Sequence, residues 1–263
     1  MTQPDTGRIT TERQGRILVI TFDRPAKYNG FTPEMGDQLI DAFTLLETDP
    51  DLWIGVVRAE GKHFTAGLDL PRWAPRMASG EPMWPLDRID PFGLREPRRT
   101  KPLLMAVKGI TYTLGIELML AADVVVAADD CRFSQLEVKR GILATGGATI
   151  RMAERAGMGN ALLYLLTGDE FDAATALRLG FVQKVVPAGS EFDEAMAIAR
   201  RIEAVAPLAT REVIRSVRLA DEVGPDAAVA QFEARQKFLA GSDDFTEGVQ
   251  SFVERRPARF QGR

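Results

Sequence analysis

Residues 114–128 read LGIELMLAADVVVAA, a helix running into a strand, apolar almost throughout. A helix apolar on every side and a strand apolar on both faces must be covered on all sides. A chain containing this stretch therefore folds around it. One residue is out of place there: Glu117 sits among Ile116, Leu118, Met119 and Leu120. A carboxylate in such a run needs a partner or a task.

The surrounding pattern is a mixed α/β one. Residues 9–12 and 16–22 read as strands around Gln14-Gly15, a hairpin-like signal. Thr32-Pro33-Glu34 is a helix start, with a capping hydroxyl, proline at the first helical position and an acid in the first turn. That helix carries Met35, Leu39, Ala42, Phe43 and Leu46 on one face, and 53–58 follows as a buried strand. Residues 71–102 hold seven of the fifteen prolines and read as a long surface loop or lid. Strands are expected at 103–107 and 124–128, then a strand-like run at 133–138 and a glycine-rich turn, RGILATGGATI. Helical patterns cover 148–156, 160–166, 173–179, 191–204, 208–220, 227–239 and 245–253, with 182–186 the only strand among them. The expected division is a core over 1–190 and a helical region over 191–263.

Charge and composition narrow the function. A net charge of −4 over 263 residues argues against a general nucleic-acid binder. No segment approaches the ~20 apolar residues of a membrane span, so no membrane partner is expected. The N-terminal MTQPDTGRITTERQGR has no apolar stretch behind its charges, so no signal peptide is expected. A single cysteine, Cys131, suits a reducing cytoplasm, and with His63 the only histidine there is no zinc ligand set. No metal is expected. Two basic groups, Arg95, Arg98, Arg99 and Lys101, and Arg255, Arg256, Arg259 and Arg263, read first as solvated surface charge.

Glu117 has a potential partner in Glu137, which follows a strand-like run and precedes the glycine turn. The path between them can return both carboxyl groups to one end of a sheet, although each could also be structural: Glu117 facing out from an amphipathic helix, Glu137 pairing with Lys139 or Arg140. Burial raises a carboxyl pKa, and two carboxyls sharing a site separate their titrations further. Such a pair supplies one acid and one base near neutral pH. The chemistry it suits is proton transfer next to a carbonyl, which also needs donors for a developing enolate oxygen. HFTAGLDL and YTLGIE are turns that could present backbone N–H groups. His63 is no catalytic candidate, since no G-x-S-x-G motif accompanies it.

FDRPAKYNGFTPEM, HFTAGLDL, KPLLMAVKGITYTLGIELMLAADVVVAADDCRFSQLEVKRGILATGGATIRMAERAG, LLTGDEFDAATALRLGFVQKVVP and FVERRPARFQGR, in this order along nearly the whole chain, resemble the crotonase superfamily, the enoyl-CoA hydratases and isomerases. The resemblance implies an α/β, crotonase-like spiral of ββα units with a helical C-terminal association region, assembling as a homotrimer or dimer of trimers. The substrate would be an acyl-CoA thioester, with no cofactor beyond the coenzyme A it carries. Glu117 and Glu137 would be the acid/base pair, and the N–H groups of Ala66 and Leu114 the oxyanion hole. Arg24, Ala26, Lys27, Tyr28, Gly67, Leu68, Asp69 and the tail residue Phe260 would contact CoA, with Phe260 commonly reaching it across a subunit interface. Two departures stand out. Thr113, Leu114 and Gly115 replace the usual Gly-Gly-Gly, and Ala144-Thr145 the usual Pro-Gly, so that Thr145 keeps an N–H toward the water site and adds a hydroxyl. The activity implied is hydration of 2-enoyl-CoA. A Δ3,Δ2-enoyl-CoA isomerase and a non-catalytic CoA-binding protein of the same fold are the alternatives.

Overall fold

In chain order the elements are β1 (Arg8–Gln14), β2 (Ile17–Asp23), α1 (Pro33–Thr48), β3 (Ile54–Ala59), α2 (Leu70–Ala78), β4 (Leu103–Val107), β5 (Ile110–Tyr112), α3 (Leu114–Ala121), β6 (Val124–Ala128), β7 (Arg132–Ser134), α4 (Ala148–Ala156), α5 (Met158–Thr167), β8 (Phe171–Asp172), α6 (Ala173–Arg178), β9 (Lys184–Val186), α7 (Glu191–Glu203), α8 (Pro207–Glu222), α9 (Pro225–Val229), α10 (Phe232–Ala240) and α11 (Asp243–Glu254). They come from a computed structural model that describes residues 6–80 and 82–263. Residues 1–5, part of the stretch read for a leader, and residue 81, within the proline-rich stretch, lie outside the described residues.

Six strands form one sheet in the order β1-β2-β3-β4-β6-β9, antiparallel between β1 and β2 and parallel from there on. A second sheet, β5-β7-β8, stands apart from it. Side chains alternate across a strand, and in β2 the alternation feeds two cores. Leu18, Ile20 and Phe22 enter the large core with the α1 residues Met35, Leu39 and Phe43 and all of the buried apolar residues of α3 but Gly115. Ile17 and Val19 enter a smaller core with Trp53, Leu104, Val126 and the α7 residues Ala195 and Ala199. Both faces of the central strands β2, β3, β4 and β6 are covered, as parallel strands require. Full burial of each such Val, Leu or Ile contributes about 1.5–3 kcal/mol. Helix α7 therefore belongs to the packing of the sheet, across β3, β4 and β6. The start of α1 is as expected: Thr32 Oγ1 accepts from the Met35 N–H at 3.2 Å, with Pro33 behind it.

The proline-rich stretch differs from its reading as loop throughout, because α2 occupies its first part. Pro71 falls in the first helical turn, where N–H groups have no partner in any helix. Pro75 removes one internal bond, and Trp73 offsets that loss. Its ring is fully buried, its Nε1 donates to the Phe31 carbonyl oxygen at 2.8 Å, and it packs 5.1 Å from Trp84. Elsewhere the strand-like run at 133–138 stops at Ser134, and Glu137 opens a tight 3₁₀ turn ending at Arg140. The helix expected at 227–239 is broken between α9 and α10, which nothing in the sequence explains. Among the described residues no helix is long and apolar enough to cross a membrane.

Candidate active site

Helix α3 begins directly after Thr113, whose backbone (φ 49°, ψ −114°) turns the chain out of β5. Its first turn puts Glu117 inside the protein, 6 % exposed. Glu117 Oε1 accepts the Gly146 N–H at 2.6 Å and the Ala148 N–H at 3.4 Å. Burial pushes its pKa up to about 7, against the pull of these two N–H groups and the Arg151 charge. The carboxyl is thus poised between its two protonation states at neutral pH.

Glu137 sits where the short strand β7 gives way to the 3₁₀ turn, 8 % exposed. Burial raises its pKa to about 7 too, its own backbone N–H opposes this, and the charge of Glu117 adds to the rise. Gln135, buried two residues earlier, reaches both oxygens of Glu137 at 2.9 and 3.2 Å when its amide nitrogen faces the carboxylate. That donor favours the ionised form and fixes the side chain.

Both glutamates line one cavity of about 190 Å³, together with Ala66, Leu68, Thr113, Leu114 and Thr145. Leu70, Met77, Met83 and Ile142 supply apolar wall. One expected donor needs correction. The Ala66 N–H is already committed, donating to the Tyr28 carbonyl oxygen at 2.9 Å. The N–H two residues on, that of Leu68, has no acceptor among the described residues. Phe31 and Leu68 bridge in parallel, so that Phe31 N donates to Gly67 and Asp69 N donates to Phe31, and the Leu68 N–H faces away from both. The Leu114 N–H, first in α3, also has no acceptor among the described residues. Spacing alone could not separate Ala66 from Leu68, but bridge parity does.

A family model for enoyl-CoA hydratase/isomerase matches residues 12–263. The chain belongs to that family. It is 32 % identical over 259 residues to an enoyl-CoA hydratase of Mycobacterium tuberculosis, with 96 % of each chain covered. It is 30 % identical to the 2,3-dehydroadipyl-CoA hydratase of Escherichia coli, covering 97 % of this chain and 99 % of the relative. The solved structure of a probable enoyl-CoA hydratase/isomerase from Mycobacterium abscessus is similar throughout, with a TM-score of 0.94 at 45 % identity over 97 % of this chain and 98 % of that one. The α/β architecture is thus that of the enoyl-CoA hydratase/isomerase family.

Within this enoyl-CoA hydratase/isomerase chain the remaining site residues fall into three places. Arg24 and Asp69 pair with each other at 2.8 Å, and Arg24 also donates to the Gly30 carbonyl oxygen at 2.8 Å, tying the 3₁₀ turn Pro25–Lys27 to the start of α2. Ala26, Lys27 and Tyr28 are exposed on that turn, beside Ala66. Gly67 (φ 97°) lies under Thr113, where a Cβ would meet the threonine hydroxyl at 1.9 Å. Phe260 lies elsewhere, packed on the smaller core and lining a surface groove with Phe245, Val249 and Phe252. Around it the tail is tied down: Asp244 accepts from the Gln261 and Gly262 N–H groups at 2.6 and 2.9 Å, and Arg256 pairs with Glu247 at 2.6 Å. The central basic group is structural as well. Arg99 pairs with Asp123 at 2.6 Å, and Lys101 Nζ donates to the carbonyl oxygens of Leu46 and Asp49 at 2.7 Å each.

Proposed function

We propose that this protein adds water across the C2=C3 bond of a 2-enoyl-CoA thioester. Glu117, ionised, takes a proton from water as the water oxygen bonds to C3. The C2=C3 electrons move toward the thioester carbonyl and form an enolate. The N–H groups of Leu68 and Leu114 hold its oxygen, and Glu137, protonated, delivers a proton to C2. Every group in the scheme is a side chain or backbone group of this chain, and coenzyme A enters as part of the substrate.

The best support is the meeting, around one cavity, of two buried carboxyls with two N–H groups that have no acceptor among the described residues. Isomerisation needs a single carboxyl, and the second would then be buried without a task. Incubation with crotonyl-CoA tests the proposal. The enone absorbance should fall with water uptake, and loss of either glutamate as Gln should cost ~10²–10⁴-fold. Turnover retained in both variants would overturn it.

The rim residues Ala26, Lys27, Tyr28 and Gly67 are proposed to line the pantetheine and nucleotide, in a reducing cytoplasm. Homotrimer or dimer-of-trimers assembly is supported by Phe252 and Val253 of α11, which are 84 % and 73 % exposed. Phe260 of a neighbouring subunit would then approach CoA. Light scattering giving a monomer would remove both claims.

A further inference from the structure

One turn further along α3 from Glu117, a second cavity of about 470 Å³ is walled by Phe92, Leu120, Arg151 and Arg155, and by Val217 and Arg218 of α8. Its charges are unevenly partnered. Asp123 is shared by Arg99 and Arg218 at 2.6 and 3.1 Å, and Glu222 pairs with Arg98. Asp90 accepts the N–H groups of Phe92, Leu94 and Arg95 at 3.0, 3.1 and 3.0 Å. Among the described residues, neither Arg151 nor Arg155 forms an ion pair within 4.0 Å. Arg155 donates to the Leu120 carbonyl oxygen at 2.6 Å, and Arg151 Nη1 is buried with no acceptor at all.

The more distant charges do not settle the balance. Glu154, Asp90 and Glu117 face Arg151 against Arg98 and Arg218, and Glu154, Asp221 and Asp123 face Arg155 against Arg151. Burial still weakens the hold of both guanidiniums on their protons. A cation taken out of water without a counter-charge is costly, and an anion removes that cost.

Gly146 and Gly147 stand between side chains that line the two cavities, Glu117 on one side and Phe92 and Arg151 on the other. A Cβ on Gly146 would stand 2.8 Å from both the Glu117 carboxyl carbon and Phe92 Cε1, and one on Gly147 would stand 2.8 Å from Arg151 Nη1. We propose that Arg151 and Arg155 bind a carboxylate or phosphate group in this cavity, and that its natural source is the far end of the acyl chain whose reacting end lies between Glu117 and Glu137. Phe92 is then the side chain that the acyl chain passes. The assignment of the source rests on the hydratase reading, whereas the anion site itself does not.

The test compares two 2-enoyl-CoA substrates of equal chain length, one ending in methyl and one in carboxylate. The wild-type protein should favour the carboxylate in kcat/KM by about tenfold or more, as expected for a hydrogen bond to a charged group. Arg151→Gln should remove most of that preference, and Arg155→Gln part of it. The ratio of the two substrates is read because any shift in Glu117 or in folding lowers both rates together. In parallel, the full chain is titrated calorimetrically with glutarate and with inorganic phosphate. Binding lost in Arg151→Gln, without a substrate preference, would support the site and overturn the acyl chain as its source. If neither thioester is turned over, the hydratase reading fails and calorimetry alone decides the anion site. No preference and no calorimetric binding would overturn the proposal.

Discussion

The N–H of Gly146 meets Glu117 Oε1 at 2.6 Å, and only glycine fits there, because a Cβ would stand 2.7 Å from Glu117 Oε2. The carboxyl is thus aimed by backbone rather than by another side chain. Gly146→Ala is expected to push Glu117 or Phe92 aside and lower kcat by about tenfold to a hundredfold, since a displacement near 1 Å can cost that much. Stability should fall by roughly 1–3 kcal/mol through overpacking. Steady-state kinetics beside a denaturant melt checks both, and unchanged kcat would show that the N–H does not set the carboxyl's position.

Two carboxyls raised to about 7 make the folded state prefer protons. The sign is fixed by comparison with unfolded glutamate near 4.5: below that pH the groups are neutral in both states, and their stabilisation relative to high pH is fully present. It is lost as pH rises through about 7. For Glu117 the difference amounts to roughly 3 kcal/mol. Melting temperature is predicted to decline from pH 5 to pH 8, and less steeply in Glu117→Gln. A Gln variant with the same slope would contradict the raised pKa. In activity, the ionised base and protonated acid predict a bell-shaped kcat/KM profile near neutrality.

Thr113 holds φ 49° and ψ −114°, a conformation that suits glycine and costs a β-branched residue about 1–3 kcal/mol. Thr113→Gly gives back part of this as added chain freedom in the unfolded state. A net gain near 1 kcal/mol, about 2–4 °C in Tm, is expected for a chain of this size. The Leu114 N–H should then be held less firmly, so kcat is expected to drop while Tm rises. A variant that melts lower than wild type would show that the turn is unstrained.

The two candidate donors near residue 67 can be told apart chemically. An ester in place of the peptide N–H of Leu68 removes one proton and no side chain. It should cost kcat about 10²–10³-fold, the usual penalty for losing an oxyanion donor. The same change at Ala66 breaks its bond to Tyr28 and should affect stability more than kcat. The reverse pattern would restore Ala66 as the donor.

Glu117 was legible in the sequence because a charge inside an apolar run is visible without coordinates, and Glu137 because it stands between a strand-like run and a glycine-rich turn. So were β2, β3, β4 and β6, whose apolar runs follow from burial on two faces, whereas the short strands β5 and β8 were not read as strands. Leu68 was not legible as a donor: which N–H groups point into a cavity depends on the parity of a single bridge to Phe31. Helix α2 was hidden by its prolines, since the tertiary anchor Trp73 outweighs local preference. Arg151 and Arg155 lay unnoticed in an ordinary amphipathic helix, because a missing counter-ion shows only once every neighbouring carboxylate has been placed.

Strand β2 lies between β1 and β3 and lends alternate side chains to two separate cores. No partial opening can free it while leaving either core intact. Its backbone amides should therefore trade hydrogen for solvent deuterium only when the entire molecule comes apart, whereas those of α10 and α11, with their apolar side chains in the open, should exchange through local fraying. One seven-residue strand can thus serve as the clock for global unfolding.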